Sequence, residues 1–279
     1  MTIQLTLSRG IEVDGIRYRE AVLGPVSGAA TELVGSAGEG LLPAERFSLL
    51  LQQCLLRLGP WQPPGLDQVR LLTVGDRDAL ALHLRGLTFG DRIDCVVRCP
   101  SCAERMDLEL AVSSLLLPPD ERGAEYVPLS GEAGPPAQLR PPTGRDLEAA
   151  AWAAVHDPAA AARHLLAACA EDAGGLDVDA LTAEEVAELA GRLAELEPQS
   201  DLQLELECPS CTAAFELPFD PAGFLLQELA AESGALHREV HALALHYHWS
   251  ERDILGLPAP KRRLYLELLA ESLPVGAAS

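Results

Sequence analysis

Apolar and polar residues alternate along this chain in two rhythms, one of two residues and one of three to four. Ile11-Glu12-Val13 and Ile16-Arg17-Tyr18 flank Asp14-Gly15. That pattern predicts a β-hairpin over residues 11–23 with a type I′ turn. A loop rich in Gly, Ser and Ala is expected to follow. Pro43 then opens a helix predicted to run to about Leu58, with Phe47, Leu50, Leu51, Cys54 and Leu58 on one face. Trp61-Gln62-Pro63-Pro64-Gly65 is a break. Beyond it, Leu80, Leu84 and Leu87 give a helical stripe, and strand-like stretches run from Ile93 to Val97 and from Met106 to Leu110. The same order returns later: Leu189, Leu193 and Leu196, then stretches from Leu202 to Leu206 and from Phe215 to Phe219.

Each pair of strands encloses the same four residues. Cys99-Pro100-Ser101-Cys102 and Cys208-Pro209-Ser210-Cys211 stand 109 residues apart. A C-x-x-C in a hairpin turn is a zinc knuckle, because the turn aims both sulfurs at one point and its N–H groups stabilise thiolates. One knuckle offers two ligands, whereas structural Zn2+ takes four in a tetrahedron. Two knuckles therefore predict one structural Zn2+ per chain, held by Cys99, Cys102, Cys208 and Cys211. The alternatives are hairpins that hold without metal, and knuckles that each share a metal with a second chain. Ala103 and Thr212 stand where such turns often place Gly to ease a left-handed backbone. Four thiolates leave no open position for water, so a catalytic ion is not expected.

The likeness extends around the motifs. Shifted by 109, Leu72–Leu110 aligns without a gap on Leu181–Phe219. Leu72 and Thr73 match Leu181 and Thr182, and in each copy the Thr is placed to cap a helix. A fainter echo relates Leu23-Gly24-Pro25-Val26-Ser27-Gly28 to Leu139-Arg140-Pro141-Pro142-Thr143-Gly144. The expected fold is α+β: internally duplicated helix–strand–knuckle hairpin units forming a four-cysteine zinc ribbon, followed by a helical C-terminal region. The expected organisation is residues 1–116 for the N-terminal hairpin, helices and first knuckle, and 117–145 for a Pro/Gly-rich linker. Residues 146–220 hold a helical segment and the second knuckle, and 221–279 are helical. Within these, helix is expected at about 145–171, a turn at Ala173-Gly174-Gly175, and a fray from Pro274. The C-terminal stripe is Leu229, Leu236, Val240, Leu243 and Tyr247. A short Ser250-capped turn and a last helix from Pro258-Ala259-Pro260, bearing Leu264, Leu266, Leu268 and Leu269, complete the chain.

Charge narrows the partners. The formal net charge of −21 opposes binding to nucleic-acid phosphates or anionic lipid and suits a basic protein partner. No signal-peptide segment is legible in the first nine residues, and no apolar run approaches the ~20 residues of a membrane span. A cytoplasmic location is expected, where C-x-x-C pairs bind metal rather than form disulfides. Cys54, Cys95 and Cys169 lie in apolar stretches and read as small buried residues. His237-Arg238-Glu239-Val240-His241 invites a metalloprotease reading, but that motif needs Glu directly after the first His. His237, His241 and His248 read instead as a polar helix face. Lys261-Arg262-Arg263 reads as a solvated helix start or local contact. Asp76, Asp78, Glu184 and Glu185 fall in first helical turns, where they suit the helix dipole. No phosphate loop, nucleophile elbow or paired acid is found, so no enzyme activity is expected.

Four stretches together resemble a known family. They are Gly75-Asp76-Arg77-Asp78-Ala79-Leu80 through Leu84–Arg92 into the first knuckle, and Leu139-Arg140-Pro141-Pro142-Thr143-Gly144-Arg145-Asp146-Leu147. The third is Leu196-Glu197-Pro198-Gln199-Ser200-Asp201 before the second knuckle. The last is Leu236–Ala244 with Trp249–Leu255 and Arg262–Leu266. Their order resembles the T4-type baseplate proteins, also described as baseplate hub assembly chaperones, of contractile phage-tail-like injection systems. The resemblance implies a non-enzymatic role in building or forming a baseplate, with baseplate or hub proteins as partners. Competing readings are a zinc-ribbon adaptor for nucleic acid or a transcription complex, which the charge opposes, and a metalloenzyme built on His237, Glu239 and His241.

Overall fold

The computed structural model of the protein describes residues 2–35, 40–119, 127–128, 138–171 and 178–272. Strands β1 (Ile3–Val13) and β2 (Ile16–Leu23) form an antiparallel hairpin. Asp14 and Gly15 both take positive φ, 53° and 74°, as a type I′ turn requires. The hairpin reaches further back than its strongest alternation shows. Its register breaks between Thr6 and Ile11, where Gly10 has φ 68° and lies against the Tyr18 backbone.

Two expectations fail next. Part of the supposed loop after residue 23 is helix α1 (Gly28–Gly35), capped by Ser27, whose Oγ accepts the Ala30 N–H at 3.2 Å. The helix from Pro43, α2 (Pro43–Cys54), stops short of Leu58. The chain continues as strand β3 (Leu55–Leu58), which pairs antiparallel with β2. Leu55 and Leu58 are fully buried in the strand, and the edge of β2 favours it by offering ladder hydrogen bonds.

A short helix α3 (Leu66–Arg70) leads into α4 (Val74–Phe89), where the Thr73 hydroxyl accepts the Asp76 N–H. Strands β4 (Arg92–Arg98) and β5 (Arg105–Ala111) make the first knuckle hairpin, closed by a single turn, α5 (Val112–Leu115). The segment read as a linker contributes β6 (Val127–Pro128) and β7 (Gln138–Leu139), the rest of 120–137 lying outside the described residues. Helices α6 (Gly144–His156) and α7 (Pro158–Cys169) break at Asp157-Pro158, and β8 (Ala170–Glu171) pairs with β7. The turn at 173–175 and the stretch from Pro274 also lie outside the described residues. Helix α8 (Ala183–Leu196) carries the Thr182–Glu185 capping box, and β9 (Leu202–Glu207) with β10 (Ala214–Phe219) makes the second knuckle hairpin. A helix of 27 residues, α9 (Pro221–Tyr247), then α10 (Glu251–Leu255) and α11 (Ala259–Ser272), end the described chain. The result is a mixed α and β architecture of helices and small antiparallel sheets.

The main core gathers the first sheet, α2, the Leu80 and Leu84 face of α4 and the first turns of α9. Leu189, Leu193 and Leu196 face a second cluster with Leu139, Leu166 and Cys169. Between the knuckle hairpins, Ile93 and Leu110 meet Leu202, Leu204 and Phe219.

Two helix–turn–helix units share a construction. In α3–α4 and in α10–α11 the first helix has five residues. The residue just before each second helix makes a β-bridge, Thr73 to Thr143 and Pro258 to Ser27. Four residues further, Arg77 and Arg262 are buried. A Cβ on Gly144 would stand 2.8 Å from Arg77 Cζ, and one on Gly28 would stand 3.0 Å from Arg262 Nη1. The Arg77 guanidinium thus leaves little room for a Cβ at position 144, and at position 28 the Leu255 carbonyl, also 3.0 Å away, closes the space together with Arg262.

Candidate metal centre

Each knuckle turn is built by the same two backbone bonds. Cys99 N–H donates to Glu104 O at 2.9 Å and Ala103 N–H to Cys99 O at 2.9 Å; Cys208 N–H donates to Ala213 O at 3.0 Å and Thr212 N–H to Cys208 O at 2.8 Å. Ala103 and Thr212 adopt φ 59° and 57°. The left-handed backbone is therefore kept without Gly, at a cost of roughly 1–2 kcal/mol per residue.

The packed hairpins bring all four sulfurs together within one chain. Cys99 and Cys211 Sγ lie 3.7 Å apart, Cys102 and Cys208 Sγ 3.6 Å, and all four fall within 4.8 Å of one another. A Zn–S bond of about 2.3 Å places tetrahedral sulfurs about 3.8 Å apart, so the donors fit one such ion. Cys99 and Cys208 are buried beside Met106, Val97 and Phe215, while Cys102 and Cys211 face solvent. Desolvation opposes ionisation of Cys99. The N–H groups of Cys102 and Ser101 and the adjoining thiols outweigh it, lowering the thiol to about 6. The Glu104 N–H pulls Cys102 down, but hydrogen bonding to Cys211, desolvation and the other thiols carry it to about 12. Four adjacent thiols do not ionise together unless a cation offsets their repulsion.

The remaining candidates scatter. His237 Nε2 lies 3.8 Å from Glu32, His241 is exposed, and His248 caps α9 with φ 57°. Glu239, the acid of the metalloprotease reading, is bound to Arg262 at 2.8 Å. Among the described residues, the close group of metal-ligand types is the four cysteines, and no histidine joins it. Cys54 and Cys169 are buried, and burial pushes the Cys54 thiol up to about 12. Cys95 is half-buried. Within the basic cluster, Lys261 is exposed, Arg263 pairs with Glu232 at 2.9 Å, and Arg262 is an internal tie rather than a solvated residue.

Asp76 and Asp78 also differ from a dipole role alone. Both are buried. Asp76 accepts the N–H groups of Ser8 at 2.7 Å, Arg9 at 3.2 Å and Gly10 at 2.6 Å, fastening the irregular middle of β1 to α4. Glu197 accepts the Gly75 N–H at 2.9 Å, 122 residues away in sequence, and faces Arg9 at 3.9 Å. Arg9 also donates to Leu196 O at 2.7 Å. Arg140 holds Asp146 through two bonds of 2.7 and 3.1 Å, and Arg85 holds Glu228 through two of 3.1 Å. These ties escape a periodicity reading, which sees charges only as solvent-facing. For Asp76, Asp146 and Glu197 a signal exists in their place near Gly75, Gly144 and Pro198 in the stretches carrying the resemblance; for Arg9 and Glu228 there is none.

No helix among the described residues is long and apolar enough to cross a membrane. The model of a family described as T4 bacteriophage base plate protein matches residues 62–224, a span holding both knuckles and the Glu197–Gly75 and Arg140–Asp146 ties. No curated protein and no solved structure gives a match.

Proposed function

This chain belongs to the T4 bacteriophage base plate protein family, and from that premise we propose a non-enzymatic assembly protein, chaperone or structural component, of a contractile phage-tail-like injection system. The family match over 62–224 is the observation that carries the reading. In this proposal one Zn2+ on Cys99, Cys102, Cys208 and Cys211 serves a structural purpose. Bound there, the ion would neutralise the thiolates and join two hairpins that are far apart in sequence, fixing the relative placement of 62–116 and 181–219. Four thiolate donors leave it no open coordination position for chemistry. An internal duplication accounts for the matched turns, the matched left-handed residues Ala103 and Thr212, and the two Thr-capped helices leading into them. The helical surface over 225–269 is the part we assign to baseplate or hub contacts. Leu245, Leu264 and Leu268 are all exposed on it. The net charge of −21 weighs against the nucleic-acid adaptor.

The test is to purify sheathed particles from the native host and quantify this protein in them and in the soluble fraction. Stoichiometric presence identifies a baseplate component. Absence, with capture on free baseplate subunits, identifies an assembly chaperone. Normal particle number and length after deletion of the gene would overturn both. For the metal, purified protein should carry one zinc per chain, and Cys99→Ser or Cys208→Ser should each release it. Full zinc content in either variant would refute a single shared site.

A further inference from the structure

A cavity of about 450 Å³ opens between α2, the start of α4, α6 and the ends of the second knuckle hairpin. Phe47, Val74, Leu147, Leu202, Phe219 and Leu226 give it apolar walls. Its polar lining is lopsided. Asp78 stands in the wall, 8% exposed, and among the described residues its side chain makes no hydrogen bond or ion pair. Asp201 and Asp220 lie exposed at the rim. Against these three acids the lining holds one cation, Arg77. Its Nη2 is committed to Ser48 Oγ at 3.0 Å and Ala44 O at 3.3 Å, and its buried Nη1 has no acceptor. Arg77 and Asp78 attract each other along this wall without a hydrogen bond or ion pair between them, so the Asp78 carboxyl and the buried Arg77 Nη1 both keep hydrogen-bonding capacity for a ligand to use.

We propose that this cavity receives a lysine or arginine side chain from a partner protein. The walls would pack the aliphatic stem, Asp78 would meet the charged head inside, and Asp201 and Asp220 would draw it in. A bare metal ion fits less well. The three carboxylates are not among the groups whose ligand atoms converge, and a peptide also carries carbonyl acceptors of the kind Arg77 lacks. Burial, and after it the charge of Asp220, hold the Asp78 carboxyl well above the usual range although Arg77 pulls it down. This inference rests on the cavity and not on the baseplate reading, so its failure would leave that reading intact.

The experiment is a titration of the full-length 15N-labelled protein with N-acetyl-arginine amide and N-acetyl-lysine amide. The neutral isostere N-acetyl-citrulline amide is the comparator. At least one basic probe should give saturable shifts at the amides of Val74–Asp78, Leu202 and Gly223, with a Kd of about 1 mM for so small a ligand. Asp78→Asn should weaken binding about tenfold, the loss of one hydrogen bond to a charged group. Asp220→Asn keeps the N-cap of α9, since Asn caps as well as Asp, and should weaken it several-fold. That second variant keeps the test alive if Asp78→Asn does not fold. Equal shifts from the citrulline probe, wild-type affinity in the folded variants, or no saturable shift with either basic probe would each overturn the proposal.

Discussion

Replacing Asp76 by Asn changes one atom in a buried side chain and disturbs three backbone donors. The carboxylate accepts from Ser8, Arg9 and Gly10, all in the stretch where β1 loses register with β2. An Asn side chain keeps one oxygen and turns an NH2 toward at least one of those donors. One or two hydrogen bonds to a charged acceptor are lost, at ~1.5–3 kcal/mol each. Part of this is offset, because burial already disfavours the Asp76 charge and raises its pKa. The net loss should be about 3 kcal/mol, which in a chain of this size lowers Tm by roughly 6–12 °C. Thermal and urea unfolding followed by circular dichroism measure the loss. Hydrogen exchange locates it, and the amides of Ser8, Arg9 and Gly10 should lose protection before those of α4. If Asp76→Asn unfolds within about 0.5 kcal/mol of wild type and keeps those amides protected, the carboxylate is not what fastens β1 to α4.

Three further outcomes follow from the same geometry. Ala103→Gly and Thr212→Gly each remove a left-handed strain of ~1–2 kcal/mol and add chain entropy worth ~0.5–1 kcal/mol, so each should raise the urea midpoint slightly; a lowered midpoint would contradict the strained turn. Gly144→Ala should destabilise by about 1–3 kcal/mol by overpacking against Arg77, whereas Gly191→Ala on α8, with nothing within 4 Å of the new methyl, should stabilise by up to ~1 kcal/mol; the same sign for both in urea unfolding would refute the close approach. Burial, opposed by hydrogen bonds from Thr73 and Gly75, raises Glu197 from 4.5 to about 7. The folded state therefore holds a proton that the unfolded state releases, and stability falls as pH rises from about 4.5 to about 7. Glu197→Gln should remove a fall of about 3 kcal/mol across that window, and parallel pH–stability curves for variant and wild type would show the carboxyl to be unperturbed.

Much of the local structure could be read directly. Asp14-Gly15 specifies its turn because its neighbours must alternate around two left-handed residues. Thr73, Thr182 and Ser250 specify helix starts because a short side-chain oxygen meets the first free N–H groups. The two Cys-Pro-Ser-Cys turns were legible for the same reason, since a turn is decided within a few residues. The boundary at Cys54 was not legible, because Leu55–Leu58 has apolar positions compatible with either a helix or a strand and the free edge of β2 lies 32 residues earlier. Helix α1 was hidden by small residues that form no stripe.

What the sequence determined by itself, then, was every feature whose partners are near in the chain: turns, caps, amphipathic faces and the four thiols in two matched pairs. Only the tertiary structure decided which distant segments close on one another. It set the sulfurs of both knuckles within 4.8 Å, buried Asp76 under the β1 backbone, and placed Glu197 against the start of α4. It also set Asp78 beside Arg77 on a cavity wall, with no hydrogen bond to its carboxyl. A charge is stabilised or stranded by the groups that surround it in space, and most of those groups lie far from it in the chain.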